Sequence, residues 1–256
     1  MNDDCYWRHG STAEKRFLCF DGKHSVCPQC CVEKCPQETP KWFGACTAAG
    51  HPTWSRPAIP VPRKLVCLES SWNDLIFQRL SVQGFFQALV PLIRPPLKIA
   101  YRAIESPEHL TFYTRKPDGL LWTDLEAWDA PVFYLAFHGA PGKVFATLEQ
   151  IGSEVLFEAF KDYGEHKNLV YFGSCSVLGK ASGLKFAKKF LKVSKTRAVI
   201  GYSRDIGWMD SLTVDLLFLY RFYTHADPWA HLEEIFHSVK QDFGPAEKMG
   251  YTLMQP

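Results

Sequence analysis

From Lys64 onward, short continuous apolar runs alternate with longer amphipathic segments, and this alternation limits the fold more than any other feature of the chain. The strands predicted on them are Lys64–Glu69, Lys98–Ile104, Pro131–Phe137, Asn168–Phe172 and Arg197–Tyr202. A strand that is apolar at every position is buried on both faces, as in a parallel sheet covered by helices on either side. Between the runs, apolar residues recur at helical spacing. Asn73 to Leu92 places Leu75, Ile76, Leu80, Phe85, Phe86 and Leu89 on one stripe, with Pro91 limiting its end. Further helices are predicted from Pro107 to Arg115, Ser153 to Tyr163, Leu184 to Val193, Met209 to Tyr223 and Trp229 to Phe243. Strand, helix and strand in that order require right-handed crossovers. The expected fold class is α/β: an α/β/α sandwich with a mostly parallel sheet.

The first sixty residues have a different character. Seven of the nine cysteines (Cys5, Cys19, Cys27, Cys30, Cys31, Cys35 and Cys46) lie there, and the stretch His51 to Pro62 is proline-rich. A proline-rich stretch cannot hold a helix and reads as an extended linker. The division expected is a Cys-rich segment with linker over 1–62 and an α/β domain over 63–256. Cysteines clustered at one end suit a metal module better than disulfides spread through a fold. Cys27 and Cys30 form a C-x2-C knuckle, and Cys35 and Cys46 complete a tetrahedral set for a structural zinc ion. Cys19, Cys31 and His24 are alternative ligands, and without a metal the segment is a small cysteine-rich docking element.

Net charge is +2, from 29 basic and 27 acidic residues, so the balance gives no electrostatic footprint for nucleic acid. No apolar run reaches the roughly 20 residues that a membrane helix needs. The expectation is a soluble cytoplasmic protein whose partners are neither nucleic acid nor membrane.

In a parallel sheet, ligands bind beyond the carboxyl ends of the strands. Two such ends carry reactive residues: Phe137-His138-Gly139 and Phe172-Gly173-Ser174-Cys175. A free thiol has a pKa of about 8.5 and needs help to ionise near neutrality. His138 can remove the proton and later protonate the leaving group. Gly139, lacking a Cβ, lets its N–H approach a substrate carbonyl, and with the Cys175 N–H it forms a candidate oxyanion hole. Gly173 and Ser174 suit a tight turn displaying Cys175, and a helix starting soon after it would favour thiolate through its N-terminal dipole. Cys67 and the remaining histidines read as core and surface residues.

At these residues the chain resembles the caspase-like cysteine peptidases: caspases, metacaspases, separases, gingipains and the bacterial CHAT proteins. Their hallmark is an apolar strand ending in His-Gly, then a second ending in a small residue and Cys. Here Phe133–Gly139 and Leu169–Cys175 carry it. The strand Ala198–Tyr202, followed by Trp208 and an apolar helix ending at Tyr223, is also CHAT-like, so the resemblance spans about residues 64 to 224. It implies a cysteine endopeptidase acting through an acyl-enzyme on a protein or peptide, with no cofactor for catalysis. It further implies regulatory or defensive proteolysis, with a regulatory protein partner. In non-caspase members an acidic residue often receives a basic side chain of the substrate. Asp205, Asp210 and Glu69, each following or ending a strand, are the substrate-binding candidates. The alternatives are a catalytically silent caspase-fold binding protein, or another thiol hydrolase or acyltransferase.

Overall fold

The computed structural model describes residues 61–71, 80–115, 119, 121, 130–147, 149–163 and 168–256, together with the short strand segments 17–18 and 25–26. The chain divides into two units, Met1–Pro60 and Val61–Pro256. In the first, β1 (Phe17–Leu18) pairs antiparallel with β2 (Ser25–Val26). The cysteines proposed as zinc ligands, Cys27, Cys30, Cys35 and Cys46, lie outside the described residues.

In the second unit the strands are β3 (Lys64–Glu69), β4 (Lys98–Ala103), β5 (Val132–Ala136), β9 (Leu169–Phe172), β10 (Ala198–Tyr202) and β11 (Tyr251–Met254). They form one sheet in the order β11-β10-β9-β5-β3-β4. All the pairings are parallel except β10 with β11. The helices are α1 (Gln83–Leu89), α2 (Pro107–Thr114), α3 (Ser153–Ala159), α4 (Lys180–Ser194), α5 (Trp208–Thr224) and α6 (Leu232–Asp242).

Period-two alternation divides the core in two. Val132 and Tyr134 of β5 join Leu65, Cys67, Leu169 and Tyr171 against α1, α5 and α6. Phe133 and Leu135 join Val66, Leu68, Val170 and Phe172 against α2, α3 and α4. Each buried large apolar side chain stabilises the fold by about 1.5–3 kcal/mol relative to exposure, so the continuous runs read from the sequence commit the strands to the middle layer. The structure is the expected α/β/α sandwich.

Several elements depart from expectation. The helix predicted over 73–92 is not continuous: residues 80–82 are non-helical and α1 starts at Gln83. The cause is Glu69, whose carboxylate accepts from the Val82 N–H (2.8 Å) and the Ser81 hydroxyl (2.6 Å), pinning that segment to the end of β3. The predicted helix over Ser153–Tyr163 stops at Ala159, and Asp162 beyond it is left-handed, with φ 53°. The antiparallel strands β6 (His138–Ala140), β7 (Lys143–Phe145) and β8 (Gln150–Ile151), and the edge strand β11, had no counterpart in the sequence reading.

Candidate active site

The two reactive strand ends lie side by side. In the β5–β9 ladder Val132 pairs with Leu169 and Leu135 with Phe172, an offset of 37 positions, and the same offset separates His138 from Cys175. Beyond the last paired residues the ends remain laced together. Buried Ser174 accepts from the Phe137 N–H (3.3 Å), and its hydroxyl contacts the Leu135 carbonyl (3.2 Å). The Gly142 N–H donates to the Val177 carbonyl (2.9 Å) at a left-handed φ of 78° that suits glycine. His138 opens the β6–β7 hairpin with its side chain exposed, and Cys175 is half-buried.

Gly139 is required here for a reason additional to the one the sequence suggested. A β-carbon at position 139 would collide with the Cys175 carbonyl oxygen, and would lie 2.7 Å from Val177 Cγ2 and 3.0 Å from Ser174 Cβ. The missing side chain is what allows the histidine hairpin to lie against the cysteine turn. Gly173 also has a packing role: a β-carbon there would overlap the Tyr134 hydroxyl and ring.

The surroundings of Cys175 favour the neutral thiol. Its Sγ contacts the Ile206 carbonyl at 3.7 Å as a weak donor. Burial is the main cause pushing its pKa up, and the negative charge of Asp205 acts in the same direction, whereas the backbone hydrogen bonds oppose it. The helix whose dipole was expected to favour thiolate begins only at Lys180, five positions on, with Gly179 as its N-cap. The dipole is felt mainly within the first turn. A thiol in this setting would need a base to react as a nucleophile.

The three acidic candidates occupy different settings. Asp205 is exposed and accepts from the Ser176 hydroxyl, which places it beside the cysteine turn. Asp210 is exposed in the first turn of α5, where an acid is favourable at the helix N-terminus. Glu69 is only 3% exposed, and besides Val82 and Ser81 it accepts from Tyr101 Oη (2.6 Å). Both of its oxygens are engaged internally, and it borders a cleft of about 30 Å³ shared with Ser70, Ser71, Tyr101, Glu105 and Thr147. Cys67 is fully buried in β3, with burial raising its pKa well above the usual thiol value. Among the described residues no group of three or more His, Cys, Asp or Glu side chains is placed to hold a metal.

Two features have no counterpart in the sequence expectations. One is the contact of segment 204–206 with the cysteine turn, made by Arg204 and Ile206 as well as by the candidate Asp205. The other lies beneath the sheet. Asp215 of α5, 1% exposed, accepts from the hydroxyls of Tyr134, Tyr171 and Tyr202, the last at 2.5 Å. The tyrosines come from three adjacent strands and share one face of the sheet. Burial raises Asp215 to about 6, against the opposing pull of the three hydroxyls. A single acid within the apolar run Val214–Leu219 was the available signal.

No protein-family model matches the chain, and no curated protein matches it in sequence. Solved structures similar to it include the Drosophila initiator caspase Dronc, with 13% identity, a TM-score of 0.47, and coverage of 77% of this chain and 80% of that one. Another is a secreted C11 cysteine protease from Bacteroides thetaiotaomicron in complex with an irreversible peptide inhibitor. It has 10% identity and a TM-score of 0.44, and the overlap covers 71% of this chain and 59% of that one. A third is caspase-1 from Spodoptera frugiperda, with 12% identity, a TM-score of 0.44, and coverage of 76% and 87%. Roles for individual residues rest on this chain's own geometry.

Proposed function

We propose that the chain is a caspase-like cysteine endopeptidase in which His138 and Cys175 act as the catalytic pair on a protein or peptide substrate. The observation that carries the reading is the shared offset of 37 positions, with Gly139 lying against the Cys175 carbonyl. Two reactive groups on unrelated parts of the chain are thereby brought to one edge of one sheet.

The resting thiol dictates the order of proton movements. His138 takes the Sγ proton as sulfur attacks the scissile carbonyl carbon, and a tetrahedral oxyanion forms. The N–H groups of Gly139 and Cys175 are the donors assigned to that oxygen. Collapse of the intermediate expels the amine, which takes the proton from His138 and leaves an acyl-thioester on Cys175. Water, deprotonated by the same imidazole, then adds to the thioester; the acid departs and the thiol is restored. Asp205 and Asp210 are the exposed carboxylates on the connection and helix following β10, and they remain the candidates to receive a basic substrate side chain.

For the Cys-rich segment the reading is a structural zinc ion on Cys27, Cys30, Cys35 and Cys46; without the metal, the segment would instead serve as a docking element for a regulatory protein. Mapping new protein N-termini in cells expressing wild type or Cys175→Ala tests the peptidase reading. Cleavages present only with wild type are expected. Identical sets, with the protein folded and its partners present, would refute endopeptidase activity and favour a silent binding protein.

A further inference from the structure

Three consecutive residues after β10 grip the cysteine turn. The Arg204 carbonyl accepts from the Ser176 N–H (2.9 Å), the Asp205 carboxylate from the Ser176 hydroxyl, and the Ile206 carbonyl from the Cys175 thiol (3.7 Å). Ser176 adopts a left-handed φ of 52°, which is uncommon for a residue other than glycine and persists where the surroundings hold it. The gripping segment is itself anchored. The Ser203 N–H donates to the Gly250 carbonyl (3.0 Å), and the Arg204 guanidinium donates to the Lys248 carbonyl (3.2 Å).

We propose that residues 204–206 form a clasp on the nucleophile, in which Asp205 is a positioning residue that fixes the Cys175 turn through Ser176 and keeps the thiol on the Ile206 carbonyl. The sulfur must leave this contact to react, so the clasp sets how readily Cys175 becomes available. This rests on reading Cys175 as the nucleophile, yet the clasp can be measured with no substrate. Charged or titratable groups on the elements packed round the turn are His138 and Lys143 of the hairpin, Lys180 at the head of α4, Arg204, Asp205, and Asp210 of α5. The charge of Asp205 acts on the thiol. Asp205→Asn keeps the shape and an acceptor oxygen but removes that charge, and Ser176→Ala removes the hydroxyl tie.

The test is the pH profile of Cys175 alkylation by iodoacetamide in the full chain, read at that residue by peptide mass spectrometry so that other cysteines do not contribute. For Asp205→Asn the midpoint is expected to fall by roughly half a pH unit, about a threefold faster reaction near neutrality. Asp210→Asn, the same charge loss in the first turn of α5, should leave the profile unchanged. Ser176→Ala should raise the rate even at high pH, where the thiol is fully ionised, because the turn is released. Coincident profiles for Asp205→Asn and wild type, or an equal shift in Asp210→Asn, would overturn the part given to the Asp205 charge, and an unchanged plateau in Ser176→Ala would overturn the clasp itself. Absence of peptide cleavage by the wild-type chain, with these shifts intact, would count against the peptidase reading alone.

Discussion

The buried Asp215 supplies a quantitative test of the fold. Its carboxyl is raised from 3.8 to about 6 because burial penalises the charged form more than three tyrosine hydroxyls favour it. A carboxyl whose folded value lies above its unfolded value binds its proton more tightly when folded. Its contribution to stability is therefore complete below the unfolded value and is lost as pH rises through about 6. Integrated between about pH 4.5 and about pH 7.5, a rise of this size removes about 2 kcal/mol. Asp215→Asn has no proton to lose, while the other titrating groups cancel in the comparison. Urea unfolding of both proteins at the two pH values should show wild-type stability falling, relative to the variant, by about 2 kcal/mol. A difference that stays constant, or that grows in favour of wild type as pH rises, would refute the reasoning. The latter would mean that the tyrosine hydroxyls outweigh desolvation.

Gly139→Ala forces a methyl group onto the Cys175 carbonyl and should cost about 1–3 kcal/mol in urea unfolding, with a larger proportional loss of peptide cleavage than of folded protein. For the cysteine-rich segment, elemental analysis of the full chain should find about one zinc per chain, lost in a variant with Cys27 and Cys30 both replaced by serine. Zinc retained at the same level by that variant would remove those ligands from consideration.

The central sheet was legible because strands buried on both faces must be apolar at every position, and Pro131–Phe137 and Leu169–Phe172 are. Where such strands end was equally legible, which is how His138 and Cys175 came into view. The β6–β8 strands were not, because two- and three-residue strands carry too few alternations to show a period. The break at Leu80–Val82 depends on Glu69, distant in sequence, and helical spacing through Leu80 and Phe85 concealed it. Gly139 and Gly173 were noticed as glycines, but the packing neighbours that exclude a side chain, the Cys175 carbonyl and the Tyr134 hydroxyl, emerge only from the strand register. Asp215 stands alone in an apolar helical run, where an acid is usually solvated, and its tyrosine partners come from three separate strands.

The central claim is that His138 activates Cys175, and labelling with a peptide that carries an electrophilic carbonyl in place of the scissile bond tests it most directly. Intact mass and peptide mapping of wild type, Cys175→Ala and His138→Ala would follow the covalent adduct over time. Wild type should acquire one adduct at Cys175 and Cys175→Ala none there. In His138→Ala the reaction near neutrality should slow by at least about a hundredfold, and raising the pH should recover much of it as the thiol ionises unaided. A His138→Ala protein that labels Cys175 as fast as wild type near neutrality would contradict the account.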